Sequence, residues 1–164
     1  MNSGRILKLD NNEFRFHDAG SYADLFVNAD RSRCWKLFRK LPENTRSFDV
    51  FESELAAYEI ATKSTALRKL VPQLYRSRIA SIEVIDINGQ SVTSEYFRGL
   101  NYELEFINKP FQKFGTLSWD DARNLREIFF KEGITHLSDA SIVGDVNSPK
   151  IIDFAVQEYE IWHE

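Results

Sequence analysis

The sequence predicts an α+β fold in which a meander of short antiparallel strands with one helix precedes a mostly helical stretch closed by a hairpin. Three observations lead there. Short apolar or alternating runs separated by turn residues fill the first third, and apolar residues recur at three- and four-residue spacing from about 47 to 63. Asn88-Gly89, a strong signal for a tight reversal, stands between two further apolar runs.

Taken in order, Glu13-Phe14-Arg15-Phe16 alternates, Leu25-Phe26-Val27 is apolar, and Cys34-Trp35-Lys36-Leu37-Phe38 is a third short run. Asp18-Ala19-Gly20-Ser21 and Asn28-Ala29-Asp30 are the turns between them. Phe48, Phe51, Leu55 and Tyr58 share one stripe and predict a helix over 47–63, with Ser47 as N-cap and Asp49 and Glu52 at its positive end. After Val71-Pro72, the runs 79–87 and 92–97 flank Asn88-Gly89 as a hairpin. Ser118-Trp119-Asp120-Asp121 has the capping-box form, and Trp119, Ala122, Leu125, Ile128 and Phe129 make an apolar face that stops before Gly133. Two short strands, around Ile142-Val143 and 150–154, close the chain, with Asp145-Val146-Asn147-Ser148 as their turn.

At 164 residues, 43% apolar and with thirteen Phe, six Tyr and three Trp, the chain can build a compact core from bulky side chains. A net charge of −4 speaks against a general nucleic-acid or anionic-membrane binder. The single cysteine, Cys34, cannot form an internal disulfide, and no Cys/His set has zinc spacing. Arg5, Lys8 and Asp10 interrupt any signal-like run, and no apolar stretch approaches the ~20 residues of a membrane span. These features lead us to expect a soluble, cytoplasmic protein. Without repeats or a linker, one domain over 1–164 is expected, with lobes at 1–97 and 98–164.

Gly133-Ile134-Thr135-His136-Leu137-Ser138-Asp139 is followed some way on by Pro149-Lys150-Ile151-Ile152-Asp153-Phe154-Ala155. This order resembles the catalytic loop and metal-binding strand of protein-kinase-like phosphotransferases, and the element order resembles their small lobe followed by a truncated, mostly helical large lobe. The resemblance spans roughly residues 13 to 158 and implies ATP and Mg2+ as ligands. It makes Lys36 the phosphate-holding lysine of the third strand, braced by Glu54 on the following helix; Glu52 faces elsewhere. It makes Asp139 the catalytic base, although two residues rather than one separate it from His136. Asp153 becomes the magnesium ligand, and Ser141 stands where the family has a second, asparagine ligand. Gly20 and Ser21 fall in the phosphate-covering loop, where two of three family glycines are missing and Asp18 adds a repulsive charge. Glu95 and Phe97 fall in the adenine-binding hinge region.

Taken singly, Lys36 is also compatible with an ammonium reaching solvent, and Asp139 with a turn that bonds its own backbone. The family's activation segment and docking platform have no counterpart here. That makes the chain similar to reduced kinase-like folds of bacterial effectors, which reach a host cytosol, and of small-molecule phosphotransferases. The resemblance thus implies an ATP/Mg-dependent phosphotransferase acting on a protein Ser/Thr or small-molecule hydroxyl. The alternative is a catalytically inactive kinase-like scaffold that binds a protein partner.

Overall fold

A computed structural model describes residues 2–41, 46–143 and 148–157. Over these described residues it is an α+β protein with two antiparallel sheets and two α-helices. The chain divides into two compact units, one comprising 1–51 and 75–106, the other 52–74 and 107–164. These units interleave along the chain, which crosses between them after Phe51, Leu74 and Phe106.

The first unit is built on a seven-stranded sheet. Its strands are β1 (Ile6–Leu9), β2 (Asn12–Ala19), β3 (Ala23–Asn28), β4 (Arg33–Arg39), β5 (Leu74–Ser77), β6 (Glu83–Ile85) and β7 (Tyr96–Glu105), in the order β5-β7-β4-β3-β2-β1-β6. The meander β2-β3-β4 is the one anticipated, but β1 was not, so Lys36 lies on the fourth strand rather than the third. Leu7, Leu9, Phe14, Phe26, Trp35, Leu37, Val84 and Tyr96 form one buried cluster. Trp35 and Leu37 alternate with Cys34, Lys36 and Phe38, which line the other face of β4.

The expected hairpin at Asn88-Gly89 is real as a reversal but not as a strand pair. The turn closes through Asp86 N–H to Gln90 O at 2.8 Å, and an isolated Ile85–Ser91 bridge and a bond from Val92 N–H to Val84 O at 2.8 Å follow before a 3-10 turn over Thr93–Glu95. β6 pairs with β1 instead, Leu7 opposite Val84. The chain then runs as β7 for ten residues, through the segment expected to be a hinge.

Helix α1 (Ser47–Lys63) begins where expected, but Ser47 is its first residue and not its cap, and the buried Ser47 hydroxyl has no hydrogen-bond partner among the described residues. Phe51, Leu55 and Tyr58 are buried, whereas Phe48 is 56% exposed.

In the second unit Phe154 is fully buried, with ring centroids 4.5 Å from Tyr58 and 5.4 Å from Phe129. Phe129 comes from α2 (Trp119–Lys131), which Ser118 caps by accepting the Asp121 N–H at 3.2 Å. Trp119 was expected on the buried face; it is 70% exposed, its ring covered instead by the Arg123 guanidinium. Gly133, at φ +85°, provides the left-handed residue that ends α2. A three-stranded sheet orders β8 (Phe111–Lys113), β9 (Ser141–Val143) and β10 (Lys150–Ile152) as β10-β9-β8. Of the turn expected at 145–148, only Ser148 lies within the described residues. No helix among the described residues is long and apolar enough to cross a membrane.

Candidate functional site

The first unit holds Lys36, Gly20, Ser21, Glu95 and Phe97; the second holds Glu54, Asp139, Ser141 and Asp153. Lys36 sits at the middle of β4, opposite Leu25 on one side and Tyr102 on the other. Its ammonium lies 5.6 Å from the Phe38 ring centroid and 5.9 Å from that of Tyr102. Phe51 from the first turns of α1 packs on both rings. A cation near aromatic faces is attracted by the electrons of the rings.

The loop around Gly20 is less suited to phosphate. Arg39 donates to the Gly20 carbonyl at 2.6 Å, and the Gly20 N–H is already given to Ala23 O at 2.8 Å. Asp18 takes the Ala19 N–H at 2.8 Å. Gly20 does not have positive φ, and an added Cβ would meet only Ala23 O at 3.7 Å, so this backbone does not require glycine. Ser21 is exposed on the same turn.

At the expected hinge, the backbone groups of Glu95 already have partners within the protein. Glu95 gives its N–H to Val92 O and its carbonyl to Lys40 N–H, and Arg5 grips its carboxylate at 3.0 and 2.8 Å. Phe97 is the second residue of β7, in the stretch between Tyr96 and Asn101 where the pairing with β4 shifts register.

Sequence reasoning missed the polar network behind Glu95. Asp24 is fully buried and accepts from Tyr96 Oη at 2.6 Å, Asn2 Nδ2 at 2.8 Å and an Arg39 nitrogen at 2.5 Å. Arg5 donates in turn to Tyr96 Oη at 3.0 Å. Burial, and next the hydrogen bond to Asp24, raises the Tyr96 phenol above its ordinary 10.0. An acidic residue in the run Ala23-Asp24-Leu25-Phe26 was the available signal.

In the second unit, Glu54 stands on α1 three residues after Phe51 and four before Tyr58, on their stripe, and is half-buried. The loop after α2 is zipped to the strand after β10. His136 and Ala155 exchange N–H···O bonds of 3.0 and 3.1 Å, and Thr135 donates to Val156 O through both its N–H and its hydroxyl. Ladder pairing resumes at Ser141 opposite Ile152. Between these fixed points residues 137–140 face residues 153–154, and both carboxylates, Asp139 and Asp153, are on this interrupted stretch and exposed.

Asp153 takes φ +62°, a left-handed conformation sustained by the surrounding structure. The buried Tyr58 hydroxyl accepts its N–H at 3.4 Å, and Phe154 anchors the next residue in the core. Asp139 places its carboxylate 3.4 Å from His136 Nε2, while Ser138 Oγ lies 3.3 Å from Nδ1 of the same ring. Arg126, Thr135, His136, Leu137 and Ser138 line a pocket of about 380 Å³ here. Ser141 is fully buried, and its hydroxyl has no partner among the described residues.

No three His, Cys, Asp or Glu side chains among the described residues gather around a common metal position. Magnesium that shares its shell with nucleotide phosphates and water needs only one or two protein oxygens. Asp153 offers an exposed carboxylate of that hard-oxygen kind, whereas the Ser141 hydroxyl is buried. Compared with known protein families, curated proteins and solved structures, the chain matches none.

Proposed function

We propose that this chain is a minimal, protein-kinase-like phosphotransferase that uses ATP and magnesium to phosphorylate a hydroxyl acceptor. The observation that carries this reading is the His136–Ala155 pairing. It holds an Asp-bearing loop against an Asp-bearing strand end, with both carboxylates exposed and one backbone strained. Lys36 then holds phosphate oxygens, with Glu54 as its brace. Asp153 and Ser141 are the residues that would hold magnesium, which when bound neutralises phosphate charge. Asp139 orients the acceptor hydroxyl and takes its proton as the acceptor oxygen bonds to the γ-phosphorus. The bond from that phosphorus to the β-phosphate oxygen breaks, leaving ADP. His136, touching Asp139, fixes the carboxylate's position. An ATP requirement places the protein in a cytosol, its own or that of a host.

A second reading, a kinase-like scaffold without turnover, is favoured by the loop around Gly20 and by Glu95, whose backbone groups are committed within the protein. Thermal unfolding with Mg-ATP separates the two. At a hundredfold excess over Kd, nucleotide should add about 2.7 kcal/mol, which for a chain of this size is about 5–11 °C. The shift should vanish in Lys36→Ala and Asp153→Ala, and ADP release should vanish in Asp139→Ala. No shift with ATP, ADP or magnesium removes the enzyme reading and leaves the scaffold.

A further inference from the structure

We propose that the pocket beside His136 recognises an oxyanion, so that the acceptor is a small alcohol carrying a carboxylate or phosphate group rather than a protein hydroxyl. This rests on the phosphotransferase reading, because it assigns the acceptor of the same Asp139.

The pocket's volume of about 380 Å³ lies in the range of small-ligand sites, and its lining is confined to Arg126, Thr135, His136, Leu137 and Ser138. A protein acceptor is ordinarily held along a more extended surface. Arg126 is the charged member. It projects from α2 with its guanidinium 5.2 Å from the Phe114 ring centroid and forms no ion pair among the described residues. Its neighbour Arg123, by contrast, pairs with Glu127 at 3.3 Å. An arginine stacked on a ring keeps its planar fork of N–H donors free at the edges, the arrangement that binds carboxylate or phosphate in a bidentate way.

The remaining lining suits the rest of such a molecule. Leu137 is buried and offers apolar surface, and Ser138 offers a hydroxyl. The imidazole of His136 forms a wall whose Nε2 is 3.4 Å from the Asp139 carboxylate. With its anion held at Arg126, the acceptor's hydroxyl end is assigned to the His136 side of the pocket, where His136 touches the Asp139 carboxylate. The transfer balances as before: the acceptor oxygen gains the phosphoryl group of a nucleoside triphosphate, the diphosphate leaves, and the hydroxyl proton passes to Asp139.

Inorganic phosphate is the probe, titrated into the intact chain by calorimetry at ionic strength matched with chloride. Saturable binding is expected, weakened about ten- to a hundredfold in Arg126→Gln, partly kept in Arg126→Lys and unchanged in Arg123→Gln. Absence of binding, or equal binding by wild type and Arg126→Gln, overturns the proposal. Because Arg126 is exposed, all variants should melt as wild type does. Mg-ATP stabilisation without Arg126-dependent phosphate binding removes this inference and leaves the phosphotransferase standing. Arg126-dependent phosphate binding without any Mg-ATP response removes the phosphotransferase, and the acceptor assignment with it. In turnover, small hydroxy acids or phosphorylated alcohols should raise ADP release above their uncharged parents, with KM rising in Arg126→Gln. Faster release with a Ser/Thr peptide than with any of them overturns the assignment.

Discussion

Asp153 offers a test in which backbone and chemistry separate. Its φ of +62° is a conformation that costs an ordinary L-residue about 1–2 kcal/mol and glycine almost nothing. Replacing it by Ala or by Gly removes the same carboxylate and every contact that carboxylate makes, so the two variants differ only by a Cβ in the left-handed region. Against that gain, the unfolded glycine chain is freer by about 0.4–1 kcal/mol. The net expectation is that Asp153→Gly exceeds Asp153→Ala in stability by about 0.5–1 kcal/mol. For a chain of this size that is a difference in Tm of about 1–4 °C, measurable by circular dichroism. Both variants keep the N–H that Tyr58 accepts. Both should lose stabilisation by Mg-ATP. An alanine variant as stable as the glycine one would mean that position 153 is not held in the left-handed region. A glycine variant that still responds to Mg-ATP would remove Asp153 from the metal site.

Three further outcomes test the interior. Asp24→Ala leaves Arg39 and the Tyr96 hydroxyl without their buried acceptor and should cost about 3–5 kcal/mol, seen as a Tm lower by about 6–20 °C; a loss under 1 kcal/mol would dismiss the network. Tyr96, raised in the folded state, contributes stability that is complete below its unfolded value of 10.0 and is lost as pH climbs past it. Urea melts between pH 9 and 11 should therefore fall more steeply for wild type than for Tyr96→Phe, and parallel curves would refute the shift. Ser141→Ala removes a buried hydroxyl that has no protein partner; without nucleotide it should change stability by less than about 1 kcal/mol, or raise it, while weakening the magnesium dependence of the ATP response. Unchanged magnesium dependence would exclude Ser141 as a ligand.

The elements that were legible in the sequence have side chains following one period without interruption. β2, β3 and β4 alternate or run apolar between turns, and α1 and α2 carry stripes closed by recognisable ends. What escaped was polar in appearance but satisfied by distant partners. The start of β7 reads as a hinge because residues 94–100 resemble one, and beyond them lie the polar Asn101 and Glu103. Yet the buried Asn101 gives and takes hydrogen bonds at Ile79, at 2.8 and 2.9 Å, and the buried Glu103 meets Arg76 at 3.3 Å. β1 is short and carries Lys8, and its pairing with β6 joins residues far apart in sequence. β8 is three exposed residues that gain strand character only from β9.

The same distinction separates the candidate residues of the first unit from those of the second. Lys36 could be found from its strand because a charge at the centre of an apolar run violates the local pattern and asks for an explanation. Asp139 and Asp153 occupy the gap between the His136–Ala155 bridge and the Ser141–Ile152 pair, where no period exists, and only their order along the chain marked them. Arg126 carried no sequence signal: on an exposed face of α2 it is one cation among several, distinguished only by the ring beneath it and the pocket it borders. Residues that break a pattern are visible before folding. Residues whose chemistry depends on what a loop places beside them become visible only in three dimensions, and the acceptor-recognising part of this site is of that second kind.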